Sequence, residues 1–165
     1  MSALDIEINQ NVLGSYYAQL MVNSGCSWTT HPPFDKEGTN MASSHGITNV
    51  VLSSTPTMTG SYVIQVQRTQ KSGYATNSNT KAYCEGLTED GFSDWRLPTM
   101  IELKAIYDQK ATIEAEPDVA PFLGNDYWTS SKNPSGYCTV YFTDGHYYYN
   151  TVGGICLGRC VRDKK

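Results

Sequence analysis

An α+β fold is predicted by three features of this 165-residue chain. A helix start is written out in Asp94-Trp95-Arg96-Leu97-Pro98-Thr99-Met100-Ile101-Glu102-Leu103. Short strand-forming segments fill the end of the chain as far as Arg159-Cys160-Val161-Arg162. Tyr, Thr, Ser, Asn and Gly are abundant, while charged residues make up only 17%. Such a composition suits β-rich, exported, ligand-contacting proteins better than cytosolic helical enzymes. The length allows one domain, or a small domain with an ordered extension. Residues 71–165 read as the module, and residues 1–70 as a β-rich N-terminal extension that packs on it.

Residues 1–46 carry the weakest pattern. Met1-Ser2-Ala3 leads into Leu4-Asp5-Ile6-Glu7-Ile8 with no basic start and no long apolar stretch, so no secretory signal is visible. The chain reads as a mature or truncated product, or as an intracellular protein. Val12–Val22 fits a helix and a buried strand equally well. Ser24–Gly46 is turn-rich, with Pro32-Pro33. Residues 47–68 predict a β-hairpin, with β-branched arms Ile47–Leu52 and Tyr62–Val66 and a connection containing Pro56 and Gly60.

After a polar loop at 71–79, Thr80–Leu87 predicts a short helix with Tyr83 and Leu87 one turn apart. A second helix is predicted over Met100–Asp108. Thr99 caps it, Glu102 closes the capping box, and Met100, Leu103, Ile106 and Tyr107 line one side. Residues 109–126, with Pro117 and Pro121, read as a long irregular connection of the kind that is often functional.

Strands follow at Tyr127–Ser130, Tyr137–Phe142, His146–Val152 and Leu157–Arg162. Asp144-Gly145 is a strong two-residue turn signal, and it sets a register in which Tyr141 faces Tyr148 and Val140 faces Tyr149. Cys138, Val140, Phe142, Tyr147, Tyr149 and Thr151 then share the core face. Thr139, Tyr141, Thr143, His146, Tyr148 and Asn150 share a face turned to solvent or a partner.

Net charge is −4 and no Lys/Arg cluster stands out, which excludes a general nucleic-acid binder. No apolar run is long enough to span a membrane. The five cysteines contain no C-x-x-C pair, against zinc or thioredoxin-like chemistry. They leave two readings: five buried thiols, or two disulfides and a leftover cysteine in an oxidising compartment, and the second is preferred. His31, His45 and His146 have no partner at metal or triad spacing. Ser130-Ser131 lacks a nucleophile elbow, and no glycine-rich phosphate loop precedes a helix. Glu114 and Glu116 read as a solvated loop, and Trp95 and Trp128 as core. Tyr141, Tyr148 and Asn150 are better ligand candidates, since tyrosine offers contact area at small entropic cost.

Read in order, Trp95-Arg96-Leu97-Pro98-Thr99 with Glu102-Leu103, Tyr127-Trp128-Thr129-Ser130-Ser131, Val140-Tyr141-Phe142-Thr143-Asp144-Gly145 and Arg159-Cys160-Val161-Arg162 resemble the bacterial Lcl C-terminal domain family. The resemblance covers about residues 75–163. It implies a C-type-lectin-like fold, with two helices beside small antiparallel sheets and neighbouring termini, as found at the ends of bacterial surface and adhesion proteins. It also implies the bridges Cys84–Cys160 and Cys138–Cys156, with Cys26 unpaired. Sugar-binding members of the wider fold take calcium through paired acidic ligands. Here the nearest pieces are Lys132-Asn133-Pro134 and Gly124-Asn125-Asp126, so no metal or cofactor is expected. Arg96-Leu97-Pro98-Thr99 also resembles formylglycine-generating enzymes, but the residues after it depart from theirs.

The expected function is that of an extracellular or cell-surface adhesin or receptor-binding module with no catalysis. Its ligand, a host or environmental protein or glycan, is expected on Lys132, Asn133, Tyr137, Tyr141, His146, Tyr148 and Asn150. An assembly subunit of a surface structure or pilus is the alternative, and an oxidase a third.

Overall fold

The computed structural model describes residues 4–9, 61–133 and 136–164. They form an α+β fold of short helices and small antiparallel sheets. The first sheet has the order β1-β2-β6, from Leu4–Asn9, Ser61–Val66 and Val161–Asp163. β1 is not among the predicted elements, although Leu4, Ile6 and Ile8 are buried while Asp5 and Glu7 are exposed, a strict two-residue alternation. The predicted second arm, Tyr62–Val66, is a strand. Its neighbours are β1, in register from Leu4↔Val66 to Asn9↔Ser61, and β6. The predicted first arm, Ile47–Leu52, lies outside the described residues. So do Val12–Val22, Ser24–Gly46, Cys26, Trp28, His31 and His45.

Helix α1 spans Asn77–Glu85, and α2 spans Met100–Asp108. The α1 start precedes the predicted one because the Thr76 side chain caps it, accepting from the Asn79 N–H at 3.3 Å. The capping box of α2 forms as the sequence predicts: Thr99 Oγ1 accepts from the Glu102 N–H, and Glu102 accepts from the Thr99 N–H at 2.9 Å. The connection predicted as irregular contains one more helix, α3 at Lys110–Glu114. Its Ile113 is buried, and Glu114 accepts from the Phe122 N–H at 2.7 Å.

The second sheet, order β3-β4-β5, comprises Asp126–Asn133, Gly136–Tyr141 and Tyr147–Thr151. One face packs Tyr127, Val140 and the neighbouring Phe142 against Leu103 and Ile106 of α2. This core also takes in Ile6, Ile8, Ile64, Val66 and Val161 of the first sheet.

The two signature motifs fasten these layers. Glu102 is fully buried. It receives two bonds of 2.9 Å from the Arg96 guanidinium and one of 3.1 Å from the Tyr62 hydroxyl. Arg96 also reaches Asp163 at 2.6 Å, so the helix start is tied to β2 and β6 at once. Cys160 closes the predicted bridge to Cys84, with the two Cα atoms 5.5 Å apart. A second cluster, of Trp95, Leu97, Trp128 and Cys156, packs around that bridge. Arg159 is fully buried and donates to the carbonyls of Gln67, Arg68 and Ala120 at 2.8–2.9 Å. Burial without an acidic partner in contact brings its pKa down to about 10.

The predicted Cys138–Cys156 bridge does not form. Cys156 is a buried free thiol, while Cys138 is held in a different disulfide. Cys156 pairs its backbone with Ala75 and receives the Asn150 amide at 3.4 Å, a position fixed by the 74–76 segment rather than by β4.

Candidate functional site

The outer face of the second sheet is built in rungs. Asp126 of β3 stands opposite Tyr141 of β4; Trp128 stands opposite Thr139, which faces Tyr148 of β5; Tyr137 faces Asn150. Residues directly opposite in a ladder project to the same side. The face is graded. Trp128, on β3, is buried under the disulfide cluster, whereas Tyr148, on β5, is 48% exposed. The Tyr141 and Tyr148 rings meet edge to face with centroids 6.1 Å apart, a geometry aromatic pairs favour.

The hairpin register differs from the predicted one by two residues. Val140 pairs with Tyr147 and Thr139 with Tyr148. A shift of two keeps every side chain on its predicted face. The cause is Phe142. Its ring stacks on Phe122 at 4.8 Å and meets Tyr127 at 4.7 Å, and its N–H bonds to the Asn125 carbonyl. It therefore leaves the hairpin, and the turn lengthens. The Gly145 N–H returns to the Tyr141 carbonyl at 2.7 Å, and Asp144 accepts from the His146 N–H at 2.9 Å. Gly145 has φ +77°, and a Cβ there would lie 2.4 Å from the Tyr107 ring, so this turn requires glycine. The core assignment fits Cys138 and Val140 of β4, both buried, but fails on β5, where Tyr149, on the predicted core side, is 54% exposed. Thr139, on the other side, is buried and donates to Asp126 at 3.0 Å.

Of the predicted ligand residues, the fold brings Tyr137, Tyr141, Tyr148 and Asn150 onto one face. His146 sits beside it at the turn, exposed and 2.9 Å from Asp144. Tyr137 is half-buried and meets Trp128 edge to face. Asn150 turns back toward Cys156 and fills the space beside Gly154. Lys132 and Asn133 end β3 opposite Tyr137 and Gly136, and their side chains are outside the described set. Trp95 and Trp128 are buried, as expected.

Asp126 is the residue that sequence reasoning missed. Starting the strand at Tyr127 left it in the loop, whereas one residue more would have placed it on the face of Trp128. Burial pushes its carboxyl up, opposed by the Thr139 hydrogen bond. Asp144, at the turn, is held below the usual range by the His146 backbone N–H. Burial pushes the Cys156 thiol up to about 11. Among the described residues, no group of three or more His, Cys, Asp or Glu could hold a metal ion. Among them, too, no helix is long and apolar enough to cross a membrane.

An α+β module with a disulfide-tied core and an aromatic sheet face is what the fold and this face define. The model of the Lcl C-terminal domain family matches residues 22–162, and the chain belongs to that family. No curated protein matches the chain.

Proposed function

We propose that this protein is an extracellular binding module of C-type-lectin-like architecture, an adhesin or receptor-binding domain that recognises a protein or glycan without covalent chemistry. The observation that carries this reading is the outer sheet face, where Tyr148 stands half-exposed against Tyr141 with Asn150 one rung away. Rigid aromatic rings give large contact area at small entropic cost. The Lcl family membership and the Cys84–Cys160 bridge agree with an oxidising, extracellular setting. The ion pair between Lys164 and Asp5 and the β1-β2-β6 sheet agree with the neighbouring chain ends of a C-type-lectin-like fold. Against the oxidase alternative stand the late cysteines: Cys160 is bonded, and Cys156 is a buried, poorly acidic thiol, the opposite of a reactive pair.

The test is an array of glycans and host proteins followed by Tyr148→Ala and Tyr141→Ala. Each change is expected to weaken the detected interaction by roughly 1–3 kcal/mol, the usual range for an aromatic anchor. An interaction that ignores both changes rejects this face. A second reading is favoured by the exposure of Tyr149, Val152 and Ile155, apolar surface that would suit an assembly subunit. A stable monomer by size-exclusion mass argues against it.

A further inference from the structure

Building on that reading of the outer face, we infer that it accepts a cationic side chain, an arginine or lysine presented by a partner protein. Asp126 stands directly across the ladder from Tyr141, and Tyr148 edges onto Tyr141 from the next strand. Asp144 lies close enough for its charge to act on Asp126. The carboxylate of Asp126 accepts from Thr139 on one oxygen, and no Lys, Arg or His among the described residues forms an ion pair with it. The basic side chains at the neighbouring turn have partners of their own. His146 pairs with Asp144, and Lys104, beneath the turn, pairs with Asp108 at 3.0 Å.

The molecule solves the same recognition problem within its own fold. The Arg162 guanidinium lies 3.6 Å over the Phe92 ring while Asp94 grips it at 2.7 and 3.2 Å. An aromatic face beside a carboxylate is the arrangement that attracts guanidinium and ammonium groups. Tyr141 beside Asp126 supplies both parts, each side chain being partly exposed. The charge balance agrees: the chain carries −4 overall, and two carboxylates flank this face, which favours a basic partner over a sulfated glycan. Asp126 is half-buried, so its charge is less screened than that of a surface carboxylate and directs binding more strongly.

The experiment titrates the full ¹⁵N-labelled chain with a short glycine-serine peptide bearing one arginine, with its citrulline and glutamate counterparts, and with a sulfated disaccharide. The arginine peptide is expected to move the amide signals of Asp126, Tyr141 and Tyr148. The citrulline peptide, of equal shape and no charge, is expected to bind about tenfold more weakly, as is the arginine peptide to Asp126→Asn. Thermal unfolding of Asp126→Asn confirms that the variant is folded, and Asp144→Asn gives a second, surface-only test in the same direction. Equal binding of arginine and citrulline, or a sulfated disaccharide that shifts these signals when the arginine peptide does not, overturns the cation assignment and leaves the tyrosine face standing. An arginine peptide that shifts none of these signals at millimolar concentration overturns it as well. Failure of the face itself is read separately, from an array-detected partner indifferent to Tyr141→Ala and Tyr148→Ala.

Discussion

Burial pushes the Asp126 carboxyl up, the Thr139 hydroxyl pulls it back only in part, and Asp144 adds to the rise. A carboxyl whose folded pKa exceeds its unfolded value favours the fold only while protonated, and that contribution is lost as pH rises through the folded pKa. Ionising Asp126 therefore costs the fold stability. Asp126→Asn keeps an acceptor for Thr139 and removes the charge, so its thermal midpoint at pH 7 is expected to rise above that of the parent. The difference should shrink as the pH falls through the carboxylate range, as melting curves at several pH values will show. A binding residue that costs stability is the usual trade between function and fold. At Cys156 the prediction concerns reactivity. With its thiol buried and pushed up to about 11, it should resist alkylation in the native protein at pH 8 and react only on unfolding. Non-reducing peptide mapping should recover Cys84 with Cys160 and leave Cys156 unbridged.

The start of α2 illustrates how one motif serves two elements. Arg96→Leu would strip the two guanidinium bonds from the fully buried Glu102 and leave its capping bonds and the Tyr62 hydroxyl. Removing one partner of a buried pair costs about 3 kcal/mol or more, which chemical denaturation will measure. This element was legible in the sequence because a capping box is local: residues three apart decide it. The side to which each hairpin residue projects was legible for a similar reason, since alternation survives a shift of two, but not which residues are covered, for Thr139 is buried and Tyr149 exposed. The register itself was not, because Phe142 answers to Phe122 and Tyr127 rather than to the turn residues beside it. β1 has a clear alternation, but its pairing partner lies more than fifty residues away, and nothing in the six residues names it. Distance also explains the cysteines. The Cys84–Cys160 bridge followed from resemblance to a family, whereas the position of Cys156 depends on the Ala75 backbone, which no spacing rule reveals.

For the whole molecule, the Cys84–Cys160 bridge spans 76 positions of sequence. In the chain-entropy account a loop of that length is worth about 4 kcal/mol. Cys84→Ser with Cys160→Ser is expected to lower unfolding free energy by roughly 2–4 kcal/mol, measured by denaturant titration against the parent. Arg159, the neighbour of that bridge, acts differently. It grips Gln67, Arg68 and Ala120 solely through their main-chain oxygens, so its hold is indifferent to which side chains those positions carry. A rivet set in main-chain oxygens and resting on one ring tolerates change at the outer positions it spans, and an engineer seeking to graft new loops onto this scaffold should keep that guanidinium, the Phe122 ring beneath it and Gln67, whose side chain holds the Cys160 N–H.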